Sequence, residues 1–288
     1  MTVRSDPTTG YLALTRTVTY SVVAALPLFA LYEVLVRLTA GPTGVRVGAD
    51  VWVKRALEAV GVNGTLPLLV AAVLLAVVLV GRERRQRGPV PLVPRYFAGM
   101  IGESAVYAVV SGFAVAQVVG ALLGQAGAHG IGLGAQLALS LGAGLYEELV
   151  FRVVLVGGLA MLFRWLWDAP RRAVPAAASG TPGPSSGPAG SVAASLAAME
   201  ALAGTPTASV ASGTSGRRRA YVAAALVGSL IFSAVHYIGA FGDPFSLTSF
   251  TFRFLLGLVF NALYLTRGFG VAAWTHALYD VFVTLLQA

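Results

Sequence analysis

Residues 132–163 read GLGAQLALSLGAGLYEELVFRVVLVGGLAMLF. The stretch is apolar almost throughout, yet Glu147, Glu148 and Arg152 stand near its centre. An ionised side chain at bilayer depth costs about 3 kcal/mol on insertion scales, so such residues face a bundle interior or a wet cavity. A buried ion-pair network that only fixes helix packing accounts for them as well as a reactive site does. The decision rests on whether other segments bring groups that meet these carboxylates.

The whole chain shares the character of this stretch. Of its 288 residues, 57% are hydrophobic and only 11% charged, where a soluble domain carries about 25%. Several apolar runs reach or approach the roughly 20 residues needed to cross a bilayer. This predicts an all-α, polytopic transmembrane bundle with seven or eight spans. One embedded bundle is expected rather than two domains, because no soluble segment is long and apolar enough to build its own core. The absence of cysteine excludes disulfides, thiolate nucleophiles and thiolate metal sites. The net charge of +8 lies mostly in loops beside apolar segments, which fits membrane orientation and not nucleic acid. No basic cluster, short apolar region and small-residue cleavage site open the chain, so its first apolar run reads as a retained helix.

The expected spans are 18–36, 65–81, 97–123, the central stretch, 220–238, 249–265 and 268–286. Glu33 and Arg37 lie one turn apart near the end of the first and read as an interfacial pair. Glu103 reads as interfacial too, and His129 as a loop residue. The strongest topological signal is Arg82, Arg84, Arg85, Arg87 and Arg95, since positive flanks stay cytoplasmic. With the N-terminus inside and seven crossings, 14 Lys/Arg fall on the cytoplasmic side and five on the other. The expected location is the cell membrane, with the N-terminus and the linker cytoplasmic. Three regions follow: N-terminal helices over 1–167, a linker over 168–219, and C-terminal helices over 220–288. Runs such as SGTPGPSSGPAGS in the linker cannot form a packed core, although 191–202 reads as a brief alanine-rich helix. The central stretch is either one tilted helix or two shorter elements broken around 142–144, because glycine permits both.

Two histidines fall inside spans. His236 follows Phe232 by four residues, and His276 precedes Asp280 by four, so each pair shares a helical face. A lone membrane histidine often just bonds a neighbour, but two spans here each offer an imidazole to a bundle that holds carboxylates. Glu148 and Arg152, four apart, suit an intrahelical ion pair. Glu147 is then about 100° away around an α-helix and free to face another helix. The expected division is Glu148–Arg152 as scaffold and Glu147 as the desolvated carboxylate that transfers protons. Depth fits poorly: His236 lies about 25 Å along its helix from Arg219, and His276 about 13 Å from Arg267, at about 1.5 Å per residue.

At these residues the sequence resembles the CPBP family, intramembrane proteases related to CAAX prenyl endopeptidases and once grouped as Abi. EELVFR at 147–152 matches its EExxxR motif, Phe232 and His236 its FxxxH motif, and His276 and Asp280 its HxxxN or HxxxD motif. The motifs stand in the family's order, and the resemblance covers roughly residues 97–286. It implies that Glu147 activates water with help from His236, while His276 and Asp280 stabilise the oxyanion formed at a peptide carbonyl. Glu148, Arg152 and Phe232 support the site. Members have been described both as metalloproteases and as glutamate-dependent proteases. The residues permit either, because His236, His276, Glu147 and Asp280 are also adequate ligands for a divalent metal such as zinc. Two departures stand out. Asparagine is frequent where this chain has Asp280, and an ionised aspartate cannot donate to an oxyanion. Asp280 would have to be protonated, orient His276, or hold a cation. The linker is also longer than the family leads one to expect.

A non-catalytic membrane scaffold and a proton-coupled transporter are the competing readings. No convincing pair of inverted repeats supports the transporter. The expected partners are the lipid bilayer and a membrane-associated protein or peptide substrate, prenylated or not. No nucleic acid is expected, and the sequence leaves the oligomeric state open.

Overall fold

A computed structural model describes residues 10–39, 46–61, 65–123, 132–172, 214–239 and 242–287. His129, the expected helix at 191–202 and most of the linker lie outside the described residues. Most of the rest is helical: α1 (Tyr11–Leu14), α2 (Val18–Thr39), α3 (Gly48–Ala59), α4 (Thr65–Arg87), α5 (Pro94–Leu123), α6 (Leu133–Gly142), a π-helical segment (Ala143–Val156), α7 (Gly157–Arg172), α8 (Thr214–Val235), α9 (Leu247–Arg267) and α10 (Phe269–Gln287). No strand occurs among the described residues. Helices α7 and α8 reach into the expected 168–219 linker from both sides.

Among the described residues six helices are long and apolar enough to cross a membrane: Val18–Thr39, Pro94–Ala121, Leu133–Trp167, Gly216–Val235, Leu247–Arg267 and Phe269–Gln287. The expected count of seven or eight is not confirmed by these six. Residues 65–81 are helical as expected, but α4 is not among the six, and its last turns carry Arg82, Glu83, Arg84, Arg85 and Arg87. The central stretch does not break at its glycines. It runs as one rod of 35 residues, about 50 Å at about 1.5 Å per residue. That exceeds the roughly 30 Å hydrocarbon layer, and its far end exposes Trp165 and Trp167, a side-chain type suited to the membrane–water interface.

The core forms around α10. Half of its span is buried, against about a third or less for each of the others. It packs against α2, α5, α6, the π-helical segment and α9. Small residues permit this, as they do generally between membrane helices. A Cβ on Gly144 would stand 2.5 Å from the Ala273 carbonyl oxygen and 2.6 Å from the Ala277 nitrogen, so here two backbones meet almost directly. Polar locks fix the register: Trp274 Nε1 donates to the Ala24 carbonyl at 2.8 Å, and Ser104 Oγ to that of Val271 at 3.2 Å.

Three acidic groups act as structural clamps. Glu83 of α4 accepts from the Val18 and Thr19 amides at 3.0 and 2.7 Å, capping α2 from another helix. This supplies acceptors to orphan N–H groups and sets a negative charge at the positive end of the helix dipole. Glu33 does not pair with Arg37 as expected. It meets Arg46 at 3.3 Å and Lys54 at 3.2 Å, and both cations also hold the buried Asp50. Burial works against the Arg46 charge, but the Asp50 and Glu33 carboxylates outweigh it and hold its pKa above the ordinary value. Glu103 is likewise no free interfacial residue: it pairs with Arg267 and accepts from Tyr11 at 2.7 Å. Partners so distant in sequence carry no local pattern, whereas Glu33 and Arg37 do.

The Gly144 crossing gives a direct test. Gly144→Ala forces α10 and the π-helical segment apart and should destabilise the protein by about 1–3 kcal/mol, the usual cost of overpacking. Gly158→Ala, where an added Cβ meets nothing within 4 Å, should leave the unfolding midpoint in detergent unchanged or slightly higher. Equal midpoints for the two variants would refute the close crossing.

Candidate active site

The EELVFR segment lies wholly in the π-helical segment, where backbone bonds run i→i+5 instead of i→i+4. More residues per turn means a smaller rotation between neighbours than the 100° of an α-helix. This corrects the expected separation of the two glutamates. Both reach the same imidazole: Glu148 Oε1 accepts from His276 Nδ1 at 2.8 Å, and Glu147 Oε2 stands 4.0 Å from His276 Nε2. Sequence reasoning assigned Glu148 to Arg152 alone and missed its bond to α10.

The pairing of Glu148 with Arg152 is present, with Arg152 Nε 3.2 Å from Glu148 Oε2 and both side chains buried. The guanidinium makes no hydrogen bond among the described residues. Aromatic faces meet it instead, with its Cζ 4.4 Å from the Phe232 ring centroid and 5.6 Å from that of Phe260. A desolvated cation–π contact contributes about 2 kcal/mol or more, which offsets part of the cost of burying the charge. The Phe232 ring also meets Phe151, His236 and His276 edge-on. Phe260 is the second residue that the sequence concealed. It stacks on His276 at 4.6 Å with an interplanar angle of 24°, but in sequence it is one apolar residue among many on α9.

His236 lies just past the end of α8, in a turn whose amides bond three residues back, Tyr237 to Ala234 and Ile238 to Val235. Its Nδ1 donates to the Phe232 carbonyl at 2.7 Å. A carbonyl only accepts, so Nδ1 carries the proton, and in the neutral ring Nε2 presents a lone pair. That lone pair faces Glu147 Oε2 at 3.9 Å. Asp280 Oδ2 lies 3.5 Å from His276 Nε2. The four residues of the second and third motifs and the two glutamates therefore converge, despite the mismatch in expected depth. The depth count failed at Arg267, which is buried and paired with Glu103 and so marks no membrane surface.

Exposure separates the two carboxylates. The Glu148 side chain is 0% accessible and the Glu147 side chain 15%, so only Glu147 can meet a solvent molecule or substrate.

A metal was tested against these donors. Two Nε2 atoms and two carboxylates have the right chemistry, and both Nδ1 atoms are already oriented by acceptors, as in many metal sites. Their spacing of 3.5–4.0 Å exceeds the about 3.3 Å between ligands of tetrahedral zinc with bonds of about 2.0–2.1 Å. Among the described residues no three acidic or histidine side chains gather closely enough to hold a metal ion. The arrangement therefore does not fit a metal, and no chemical step is assigned to one.

The description "type II CAAX prenyl endopeptidase Rce1-like" belongs to the family model that matches residues 129–282, more than half of the 288 residues. No curated protein and no solved structure matches the chain. The matched region contains all three motifs and ends just beyond Asp280.

The Glu148–Arg152 pair should behave as a buried pair. Arg152→Ala leaves a buried carboxylate without its cation and should cost about 3–5 kcal/mol, whereas replacing both partners by leucine should restore much of that stability. Unfolding in detergent measures both. An Arg152→Ala protein as stable as wild type would remove the pair from the structural account.

Proposed function

Since the chain belongs to the type II CAAX prenyl endopeptidase Rce1-like family, we propose that it hydrolyses a peptide bond of a membrane-associated protein or peptide, with Glu147 as general base. One observation carries the residue assignment: the accessible Glu147 Oε2 stands 3.9 Å from His236 Nε2 and 4.0 Å from His276 Nε2. Gaps of that size between polar atoms are the ones a bridging water fills.

The chemistry follows from the donors and acceptors. A water in this space donates one hydrogen to Glu147 and the other to the His236 lone pair, which leaves its own lone pair free for a carbonyl carbon. As the C–O bond forms, its proton passes to Glu147. The developing oxyanion needs a donor, and His276 supplies Nε2–H when it is doubly protonated, its Nδ1–H remaining on Glu148. Asp280 then has the role of orienting His276, which its 3.5 Å approach to Nε2 supports and which requires no proton on the carboxylate. Collapse of the tetrahedral intermediate breaks the C–N bond, and Glu147 returns the proton to the leaving amine. Water and peptide become a carboxyl group and an amine, with no other reactant. CAAX-type substrates, prenylated or not, are the first class to try, because the family carries that name.

We place the protein in the cell membrane with the N-terminus and the 168–219 linker in the cytoplasm, a reading that counts α4 as a seventh crossing beside the six candidate spans and is supported by the 14-to-five excess of Lys/Arg which that count gives. Reporter fusions to the linker decide the orientation, and signal only from the outside would reverse it.

Glu147→Gln keeps the size of the side chain and removes the proton acceptor. It should fold normally and lose about 10²–10⁴-fold in rate, the usual contribution of an acid–base group. Membrane proteomes and extracellular peptides from wild-type, Glu147→Gln and deletion cells identify the precursor that accumulates. The purified protein is then assayed on that precursor and on a prenylated CAAX peptide. Wild-type cleavage rates from well-folded Glu147→Gln protein would overturn the mechanism and leave a scaffold or transporter.

A further inference from the structure

His236 is the one site residue that no regular helix holds, because α8 ends at Val235. Its main chain is fixed from elsewhere. The His236 carbonyl accepts from the Asp243 amide at 2.9 Å. A Cβ on Gly242 would stand 2.7 Å from the Tyr237 carbonyl carbon, so glycine allows residues 242–246 to lie directly against the turn. Arg253 of α9 then grips both neighbours of His236. Its Nη2 donates to Asp243 Oδ2 at 2.5 Å, its Nη1 donates to Tyr237 Oη at 3.1 Å, and its Cζ stands 5.4 Å from the Tyr237 ring centroid. The Tyr237 ring is wedged in turn against Phe245 and Phe250.

We infer that Arg253 is a positioning residue: through Asp243 and Tyr237 it fixes the main chain of His236, so that Nε2 faces Glu147. A lysine would not do the same, since one ammonium cannot reproduce the planar fork that serves two acceptors at once. As a plain stability element the pair counts for little. Asp243 is 53% exposed, and exposed ion pairs contribute only about 0–1 kcal/mol. Removing it should therefore leave the bundle intact while loosening the residue that holds the attacking water. Displacement of a catalytic group by about 1 Å costs up to about 10²-fold in rate.

This inference rests on the proposed hydrolysis, and two independent readouts keep the two apart. The first is the kinetics of Arg253→Gln, Asp243→Asn, the double variant and Arg253→Lys on the precursor identified with Glu147→Gln. Each single variant should lose about tenfold in kcat with KM little changed, and the double variant should lose no more than either single one. Arg253→Lys should recover only part of the loss. The second readout needs no turnover: nitrogen NMR of histidine-labelled protein in detergent, with the His236 signals assigned from His236→Gln. In wild type Nδ1 is the protonated nitrogen, and in the Arg253 and Asp243 variants that tautomer preference should weaken. An unchanged kcat with unchanged His236 signals overturns the inference. So does a rise in KM alone, which would place Arg253 against substrate instead. Shifted His236 signals in a wild-type protein that hydrolyses nothing would uphold the positioning role and refute the hydrolysis.

Discussion

The Glu148 carboxylate, fully buried, joins the π-helical segment to α10 across 128 residues of sequence. Each buried ion still costs several kcal/mol after relaxation, so its partners are obligatory. His276 supplies a 2.8 Å hydrogen bond and Arg152 a compensating charge 3.2 Å away. Arg152 then needs compensation of its own, which Phe232 of α8 and Phe260 of α9 provide with their ring faces. Phe260 stacks on His276, and the contacts close on themselves. Four elements are locked in one circuit, and removal of any member strands a charge or a donor in the others.

The helix that carries the circuit departs from α geometry. Gly144 brings the π-helical segment against the α10 backbone, and the wider i→i+5 turn lets consecutive glutamates approach one imidazole from its two nitrogens. The Glu148 carboxylate is spent on structure. The Glu147 carboxylate is left slightly exposed at the edge of the same imidazole. On the proposed mechanism, stability and reactivity are divided between neighbouring residues, and α10, the most buried span, serves both.

Much of this was legible in the sequence. Long apolar runs and a low charge fraction gave the helical membrane class, and the four-residue spacings put His236 with Phe232 and His276 with Asp280. The i,i+4 rule found Arg152 for Glu148 because that partner is local. It misled at Glu33, where Arg37 has the right spacing but Arg46 and Lys54 hold the carboxylate. Glu103 and Arg267, 164 residues apart, offer no pattern at all, and a buried Arg267 then falsified the depth count for His276. Phe260 was invisible for another reason: an aromatic residue in a membrane helix has the same sequence signature whether it faces lipid or an imidazole.

The distribution of acids gives the strongest argument that the site is more than packing. Other carboxylates of the bundle meet strong partners: Glu33 and Asp50 have Arg46 and Lys54, Glu103 has Arg267, Glu148 has Arg152, and Glu83 caps α2 with Arg87 beside it. A fold that needed acids only for structure would treat all of them this way, since an uncompensated charge in a membrane bundle is costly. Glu147 and Asp280 are paired differently. Their ion pairs are with imidazoles, at 3.5–4.0 Å, too long for direct hydrogen bonds. Those spacings leave stabilisation incomplete where Glu147, Glu148 and Asp280 meet His236 and His276, and where Glu147 and Asp280 are partly exposed. Packing does not require that exception, whereas the proposed transfer of a proton from water to Glu147 would account for it.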